Sequence, residues 1–282
     1  MSDTTGSEQP AATGRAGRNL FAATSVGLAL GVFLVLLPAL FAPALFGVIV
    51  AVAMLVAVFE LRGALAQRSI HLVLPPVAVG VVAMVQVAYW WGVLPLLAVL
   101  AATVLAIFGW RLRQGIENYV TDVAASVMAV AYIGLMGSLV ALITTSTHGG
   151  QRVITFILLT VCSDVGGYAA GVLAGRHPMA ANISPKKSWE GFAGSMILQC
   201  AVGMALFVWM WDAPWWQGLI TGALMTVTAT FGDVVESAIK RDLGVKDMSH
   251  LLPGHGGLMD RLDSILPNAF SGWLLLRIFL GP

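Results

Sequence analysis

The stretch from Leu20 to Phe59 contains no charged residue, and this constrains the fold more than any other feature of the chain. A helix needs roughly 20 apolar residues to cross a bilayer core of about 30 Å. Pro38 and Pro43 interrupt the stretch, so it predicts two spanning helices over 20–37 and 41–59. Only 10% of the whole chain is charged, too little to coat a water-facing surface. We therefore predict an all-α, polytopic integral membrane protein.

Similar apolar runs continue to the C-terminus and bring the prediction to about nine transmembrane helices. The remaining runs cover 71–90, 92–109, 119–143, 153–174, 191–210, 217–239 and 264–280. With a cytoplasmic N-terminus, every Lys and Arg except Arg152 and Arg277 falls on the cytoplasmic side. The positive-inside rule expects this asymmetry, which predicts an N-in, C-out topology. Residues 1–19 are predicted to be a disordered cytoplasmic tail, followed by a single transmembrane catalytic domain over 20–282.

Charge is concentrated in one block near the C-terminus, residues 232–264. Its charged residues are Asp233, Glu236, Lys240, Arg241, Asp242, Lys246, Asp247, Asp260, Arg261 and Asp263. On a helix, Asp233, Glu236 and Lys240 share one face. Carboxylates that converge beside cations suit a hydrated site for Mg²⁺ and phosphate better than a lipid-facing surface. The glycines around His255 either cradle phosphate through backbone N–H groups or form an ordinary solvated turn.

A second polar block covers residues 164–191. Asp164 lies inside an apolar span, where a carboxylate is costly and marks either a functional site or a structural hydrogen bond. Lys186 and Lys187 are either phosphate ligands or a topogenic pair that contacts lipid headgroups. Asp122, inside the fifth span, either joins the site or pairs with another helix. Composition alone favours the topogenic, headgroup-binding interpretation for Lys186 and Lys187.

The two blocks resemble the signature of the phosphatidate cytidylyltransferases, also called CDP-diacylglycerol synthases. In the C-terminal block the matching positions are Ser237, Lys240-Arg241, Lys246-Asp247, Pro253, His255-Gly256-Gly257, Asp260-Arg261 and Asp263. In the earlier block they are Asp164, Tyr168, Gly175-Arg176, Ser184 to Ser188 and Glu190-Gly191. The detailed likeness covers about the last 120 residues. The earlier part of the chain is similar only in its apolar spans.

This resemblance implies that the chain transfers CMP from CTP to phosphatidate, giving CDP-diacylglycerol and diphosphate in phospholipid biosynthesis. It implies Mg²⁺ as cofactor, with a second metal ion left open. The expected partners are CTP, phosphatidate, the lipid bilayer and a second copy of the chain, with no nucleic acid. The expected location is the plasma membrane, with the active site facing the cytoplasm.

The resemblance also suggests a role for each site residue. The metal ligands expected first are Asp233 and Asp260, followed by Asp263, Glu236 and Asp164. The residues expected to act on the reacting phosphates or to orient those that do are Lys240, Arg241, Asp247, His255 and Arg261. The expected substrate-binding residues are Ser184, Lys186, Lys187, Ser188, Glu190, Tyr168, Gly256 and Gly257.

Two other functions are compatible with parts of the sequence. A CTP-dependent lipid kinase would share the membrane fold and the nucleotide, but it would need a base to activate a hydroxyl group and would release CDP. A proton- or ion-coupled transporter would use carboxylates inside spans, and Asp122 and Asp164 are the features that favour it. The intact signature favours the cytidylyltransferase over the kinase, and the gathering of most charges in one cytoplasmic block argues against the transporter.

Overall fold

A computed structural model describes residues 35–249, 251 and 256–282, which form a bundle of helices. The helices are α1 (Leu37–Phe41), α2 (Pro43–Ala66), α3 (Leu74–Trp91), α4 (Val93–Leu112), α5 (Tyr119–Ala129), α6 (Met136–Thr144), α7 (Gly149–Ala174), α8 (Trp189–Trp209), α9 (Trp215–Leu243), α10 (Met259–Leu262) and α11 (Ile265–Leu280). A π-helical turn, Val130–Leu135, joins α5 and α6 into one continuous span. The predicted helical membrane fold is confirmed at this level.

Seven helices among the described residues are long and apolar enough to cross a membrane. The first predicted helix, 20–37, lies almost entirely outside those residues. The last, predicted over 264–280, is present as α11 but has only 16 residues, fewer than the roughly 20 that a bilayer core needs. The predictions of nine spans and of an N-in, C-out orientation therefore stay predictions.

Proline and glycine set several boundaries as the sequence predicts. Pro43 begins α2 directly after the break at Ala42, where an N–H group would have no helical partner. Gly92 separates α3 from α4 with a φ of 83°, a conformation that side chains rarely adopt. Gly244 ends α9 in the left-handed conformation.

A short antiparallel hairpin between α7 and α8 is the element that the sequence analysis did not predict. Its strands are β1 (Pro178–Ala180) and β2 (Ser184–Ser188), with Pro178 opposite Ser188 and Ala180 opposite Ser184. Ser188 also caps α8, because its side-chain oxygen accepts a hydrogen bond from the N–H of Gly191. The hairpin thus delivers Lys186 and Lys187 to the first turn of α8.

Glycine contacts bring α7, α8 and α9 unusually close together. A Cβ at Gly166 would lie 2.6 Å from the carbonyl oxygen of Gly194, so α7 and α8 touch through their backbones. On the other side of α8, a Cβ at Gly203 would lie 2.4 Å from the carbonyl oxygen of Gly218 in α9. Small residues permit this approach in membrane helices. These three helices form the walls of the polar cavity described below.

Candidate active site

The charged face of α9 forms the centre of the candidate site. Lys240 Nζ lies 3.1 Å from Glu236 Oε1 and 2.8 Å from Asp260 Oδ1. Glu236 is fully buried, with 0% of its side chain exposed. A charge in that position is stable only with close partners. The i, i+4 contact between Glu236 and Lys240 confirms the predicted shared helix face.

Asp260 binds its neighbours through both carboxylate oxygens. Besides Lys240 on Oδ1, its Oδ2 accepts hydrogen bonds from the backbone N–H groups of Met248 at 3.0 Å and Gly257 at 2.8 Å. Burial raises the pKa of Asp260, but these hydrogen bonds outweigh it and hold the pKa below its ordinary value. Asp260 is therefore an anion that ties the glycine-rich loop, which joins α9 to α10, to α9 itself.

Asp233 and Asp263 meet beside Lys187. The ammonium group of Lys187 forms an ion pair with Asp233 Oδ2, which joins the hairpin to α9. Burial and the neighbouring charge of Asp233 raise the pKa of Asp263 to about 7. Two carboxylates in contact repel each other unless a proton or a cation lies between them. The structure thus brings together two oxygen donors of the kind that Mg²⁺ prefers.

These donors fit a Mg²⁺ site that the substrate completes. Among the described residues, no group of three or more His, Cys, Asp or Glu side chains is placed to hold a metal ion by itself. Mg²⁺ is commonly held by one or two protein carboxylates, with phosphate oxygens and waters filling the other positions. The Asp233–Asp263 pair is compatible with that pattern. The metal roles of all five predicted ligands stay predictions: Asp233, Asp260, Asp263, Glu236 and Asp164.

A polar cavity of about 260 Å³ opens between α7, α8, α9 and the hairpin. It is lined by Ser163, Asp164, Gly167, Tyr168, Gly171, Met179, Lys186, Lys187, Ser188, Gly191, Phe192, Ser195, Thr230 and Asp233. Six residues predicted from the sequence therefore face one space: Asp164, Tyr168, Lys186, Lys187, Ser188 and Asp233. The cavity offers two cations beside two carboxylates, a combination suited to a nucleoside triphosphate with its metal ion.

A second cavity, of about 200 Å³, also borders Asp164. Its lining is almost entirely apolar and comes mainly from α2, α6, α7, α10 and α11, with Asp164, Arg261, Thr160 and Ser264 as its polar members. Among the residues that the structure describes, Asp164 alone lines both cavities. A polar space and an apolar space thus meet at a single carboxylate, near the Arg261 guanidinium.

Three other predicted site residues do not line the polar cavity. Glu190 accepts hydrogen bonds from the backbone N–H groups of Arg176 and His177 and contacts the His177 ring, so it fastens the start of the hairpin. Arg241 Nε donates to the Ile183 carbonyl oxygen at 3.4 Å in the hairpin turn. Ser184 lies in β2 and not in the cavity lining.

Two further predictions concern the glycine-rich loop. A Cβ at Gly256, whose φ is 81°, would lie 3.0 Å from Asp260 Oδ2 and 3.7 Å from Asp247 Oδ1. Gly256 thus permits both carboxylates to approach the loop. His255, the predicted diphosphate ligand, lies outside the described residues.

Asp122 is a structural residue and not part of the site. Its Oδ2 lies 3.0 Å from the Arg111 guanidinium, and its Oδ1 accepts a hydrogen bond from the His71 N–H at 2.8 Å. Of the two readings left open by the sequence, pairing with another helix is the correct one. The transporter hypothesis thereby loses one of its two supporting features.

The sequence analysis missed Glu60 and Tyr132. Glu60 is the first charged residue after the long apolar stretch, and this position was the only feature of the sequence that marked it. In the structure it contacts the glycine-rich loop, 198 positions further along the chain. Tyr132 lies on the π-helical turn, and its buried hydroxyl has no hydrogen-bond partner among the described residues. A π-helical turn often marks a functional site, but it cannot be read from local sequence.

Comparison with known proteins identifies close relatives of the chain. Residues 22–279 match the cytidylyltransferase family. A phosphatidate cytidylyltransferase of Mycobacterium bovis is 40% identical over 96% of this chain and 93% of its own length. The corresponding protein of Mycobacterium leprae is 39% identical over 94% of this chain and 90% of its own. A third, from Staphylococcus saprophyticus, is 35% identical over 51% of this chain and 55% of its own length.

Proposed function

The chain belongs to the cytidylyltransferase family of membrane enzymes, and we propose that it transfers CMP from CTP to phosphatidate. The products are CDP-diacylglycerol and diphosphate, and Mg²⁺ is required. The proposal rests on one observation above all, the position of Asp164 between the polar and the apolar cavity. A water-soluble nucleotide and a membrane lipid need such a junction in order to react. The names of the mycobacterial relatives agree with this reaction.

The reaction needs little acid–base chemistry from the protein. A phosphate oxygen of phosphatidate, already ionised at neutral pH, attacks the α-phosphorus of CTP. The bond between the α-phosphorus and the oxygen that bridges to the β-phosphorus breaks, and diphosphate leaves with that oxygen and its electron pair. No hydroxyl group has to be deprotonated, so a serine–histidine or cysteine–histidine pair is not required.

The protein's main task is to bring two polyanions together in line. Lys186 and Lys187 face the polar cavity and offset the charge of the CTP phosphates. Arg261, at the end of the apolar cavity, holds the phosphatidate phosphate. Asp233 and Asp263 hold Mg²⁺, with Asp260 as a further candidate, and the bound metal offsets phosphate charge.

The location of the site follows from the same proposal. We place the protein in the plasma membrane as a homodimer, with a cytoplasmic N-terminus and a cytoplasmic active site. The cytoplasmic orientation is supported by the distribution of Lys and Arg over the nine predicted spans, which falls on one side in every case except Arg152 and Arg277. The homodimer and the plasma membrane are what the family resemblance implies. A cytoplasmic site receives CTP directly from water.

Diphosphate release tests the reaction. Purified protein in detergent micelles with phosphatidate is supplied with CTP, with and without Mg²⁺, and both diphosphate and CDP-diacylglycerol are measured. Equal amounts of the two products, dependent on all three additions, are expected. Release of CDP instead would identify a lipid kinase, and absence of nucleotide turnover in folded protein would overturn the proposal.

A further inference from the structure

Glu60 of α2 reaches across the molecule to the glycine-rich loop. Its carboxylate is buried, with 7% of the residue exposed. Oε1 accepts hydrogen bonds from Ser249 Oγ at 2.6 Å and from the Leu258 N–H at 2.9 Å. Oε2 accepts one from the Met259 N–H at 2.7 Å. Three donors from the C-terminal block thus converge on one carboxylate from the N-terminal half.

The shape of the loop is adapted to this carboxylate. A Cβ at Gly257 would lie 2.8 Å from Glu60 Oε2, closer than real Cβ contacts allow. Gly257 does not have a positive φ. Its lack of a side chain is therefore explained by the approach of Glu60 and not by a backbone conformation that only glycine adopts. One glycine of the His-Gly-Gly sequence has a specific partner in α2.

Residues 257–259 lie between two carboxylates. The N–H of Gly257 donates to Asp260, and the next two N–H groups, of Leu258 and Met259, donate to Glu60. Asp260 and Arg261 follow directly in the chain. Any displacement of 257–259 therefore moves the carboxylate that contacts Lys240 and the guanidinium that faces the apolar cavity.

We propose that Glu60 is a positioning residue for catalysis, which fixes residues 257–259 so that Asp260 and Arg261 are held in place for the reaction. It is not among the residues that line either cavity, so it acts through the loop and not on substrate. This inference rests on the proposed cytidylyl transfer for its kinetic consequence. Its structural consequence, the anchoring of the loop, is independent of the reaction.

The test is Glu60→Gln, with Glu117→Gln as matched control. The amide keeps one acceptor oxygen but turns an NH₂ group toward a backbone N–H donor. Glu117 is exposed, so the same chemical change there leaves the loop contacts intact. Ser249→Ala removes one of the three hydrogen bonds to Glu60, together with the one that Ser249 Oγ accepts from the Leu251 N–H, and is the milder variant for use if Glu60→Gln does not fold.

Two measurements are made on each variant in detergent. Hydrogen exchange of the peptide covering 256–262 reports on loop anchoring, and kcat, KM for CTP and the Mg²⁺ concentration for half-maximal rate report on catalysis. For Glu60→Gln we expect faster exchange in this peptide alone and a roughly 10- to 100-fold lower kcat. The half-maximal Mg²⁺ concentration rises, whereas KM for CTP is unchanged because Lys186 and Lys187 are undisturbed. Ser249→Ala should lower kcat by about twofold to tenfold, and Glu117→Gln should match the wild type.

Three results would overturn the proposal. Unchanged exchange in the 256–262 peptide would show that Glu60 does not anchor the loop. Faster exchange with wild-type kcat and Mg²⁺ dependence would show that the anchoring has no catalytic role. Faster exchange throughout the chain would make Glu60 a general stability residue. A wild-type protein without cytidylyl transfer would refute the proposed function, while the exchange measurement would still decide whether Glu60 anchors the loop.

Discussion

Replacing Lys240 with methionine separates its role in stability from its role in the reaction. Methionine keeps most of the side-chain length and removes the charge. The ammonium group of Lys240 contacts Glu236 and Asp260, and the side chains of the three residues are 15%, 0% and 8% exposed. The substitution therefore leaves two buried carboxylates without their shared cation.

The expected cost follows from what each carboxylate retains. Asp260 keeps the N–H donors of Met248 and Gly257. Glu236 keeps nothing comparable, because its Oε2 already lacks a hydrogen-bond partner among the described residues. Removal of one partner from a buried ion pair costs about 3–5 kcal/mol. The donors on Asp260 place Lys240→Met near the lower limit, about 3 kcal/mol, or on the order of 6–12 °C in melting temperature.

The double variant Lys240→Met, Glu236→Gln provides the decisive comparison. It removes the uncompensated charge on Glu236, and neutral replacement of a buried ion pair is often nearly neutral for stability. We expect the melting temperature to recover most of its loss while diphosphate release stays low, because the double variant still lacks the cation that the family resemblance assigns to the reacting phosphates. Thermal unfolding and diphosphate release are measured on the same detergent samples. Recovery of both stability and turnover would refute a direct role for Lys240 in the reaction.

Three other predictions concern single sites. Asp122→Asn should lower the unfolding free energy by about 3 kcal/mol, through loss of a buried ion pair, yet leave kcat of the folded fraction unchanged; thermal unfolding and turnover per folded protein check this. Because folded Asp263 holds its proton up to about pH 7 and the unfolded group releases it near pH 4, stability of the metal-free protein should fall as pH rises between these values. The fall in melting temperature across that range should be smaller in Asp263→Asn than in the wild type, and the proposed Mg²⁺ should bind more tightly as pH rises through 7. Gly232→Ala puts a Cβ 2.3 Å from the Asp263 carbonyl oxygen and should destabilise by about 1–3 kcal/mol with loss of turnover. Gly63→Ala, inside α2 with nothing within 4 Å, should turn over like the wild type and melt at the same or a slightly higher temperature, because alanine favours a helix more than glycine does.

Local pattern was sufficient to predict the helices and much of the polar cavity. The apolar runs, the proline break before Pro43 and the helical spacing of Glu236 and Lys240 each depend on neighbours within a few residues. The six predicted residues that line the polar cavity also come from short blocks of unusual composition. Such features are visible in a single sequence because the bilayer leaves so few places for charge.

Long-range contacts could not be predicted in the same way. Glu60 and its loop partners are separated by 189 to 199 positions, and nothing near Glu60 indicates which donors it meets. The hairpin was missed because Ser-Pro-Lys-Lys-Ser lacks the alternation of apolar and polar residues that predicts a strand. Its pairing depends instead on the short turn to β1 and on the anchoring of its ends by Glu190 and Ser188.

The backbone contacts between α7, α8 and α9 restrict how this part of the chain can change over evolutionary time. Where helices meet through side chains, a larger residue on one is readily offset by a smaller one on the other. At Gly166, Gly203 and Gly218 the nearest opposing atoms are carbonyl oxygens, which no substitution can remove. At these positions a larger residue therefore cannot be offset by a smaller residue on the neighbouring helix. Backbone contacts therefore fix the spacing of the helices that line the polar cavity. The apolar cavity is lined by side chains, so substitutions can change its shape.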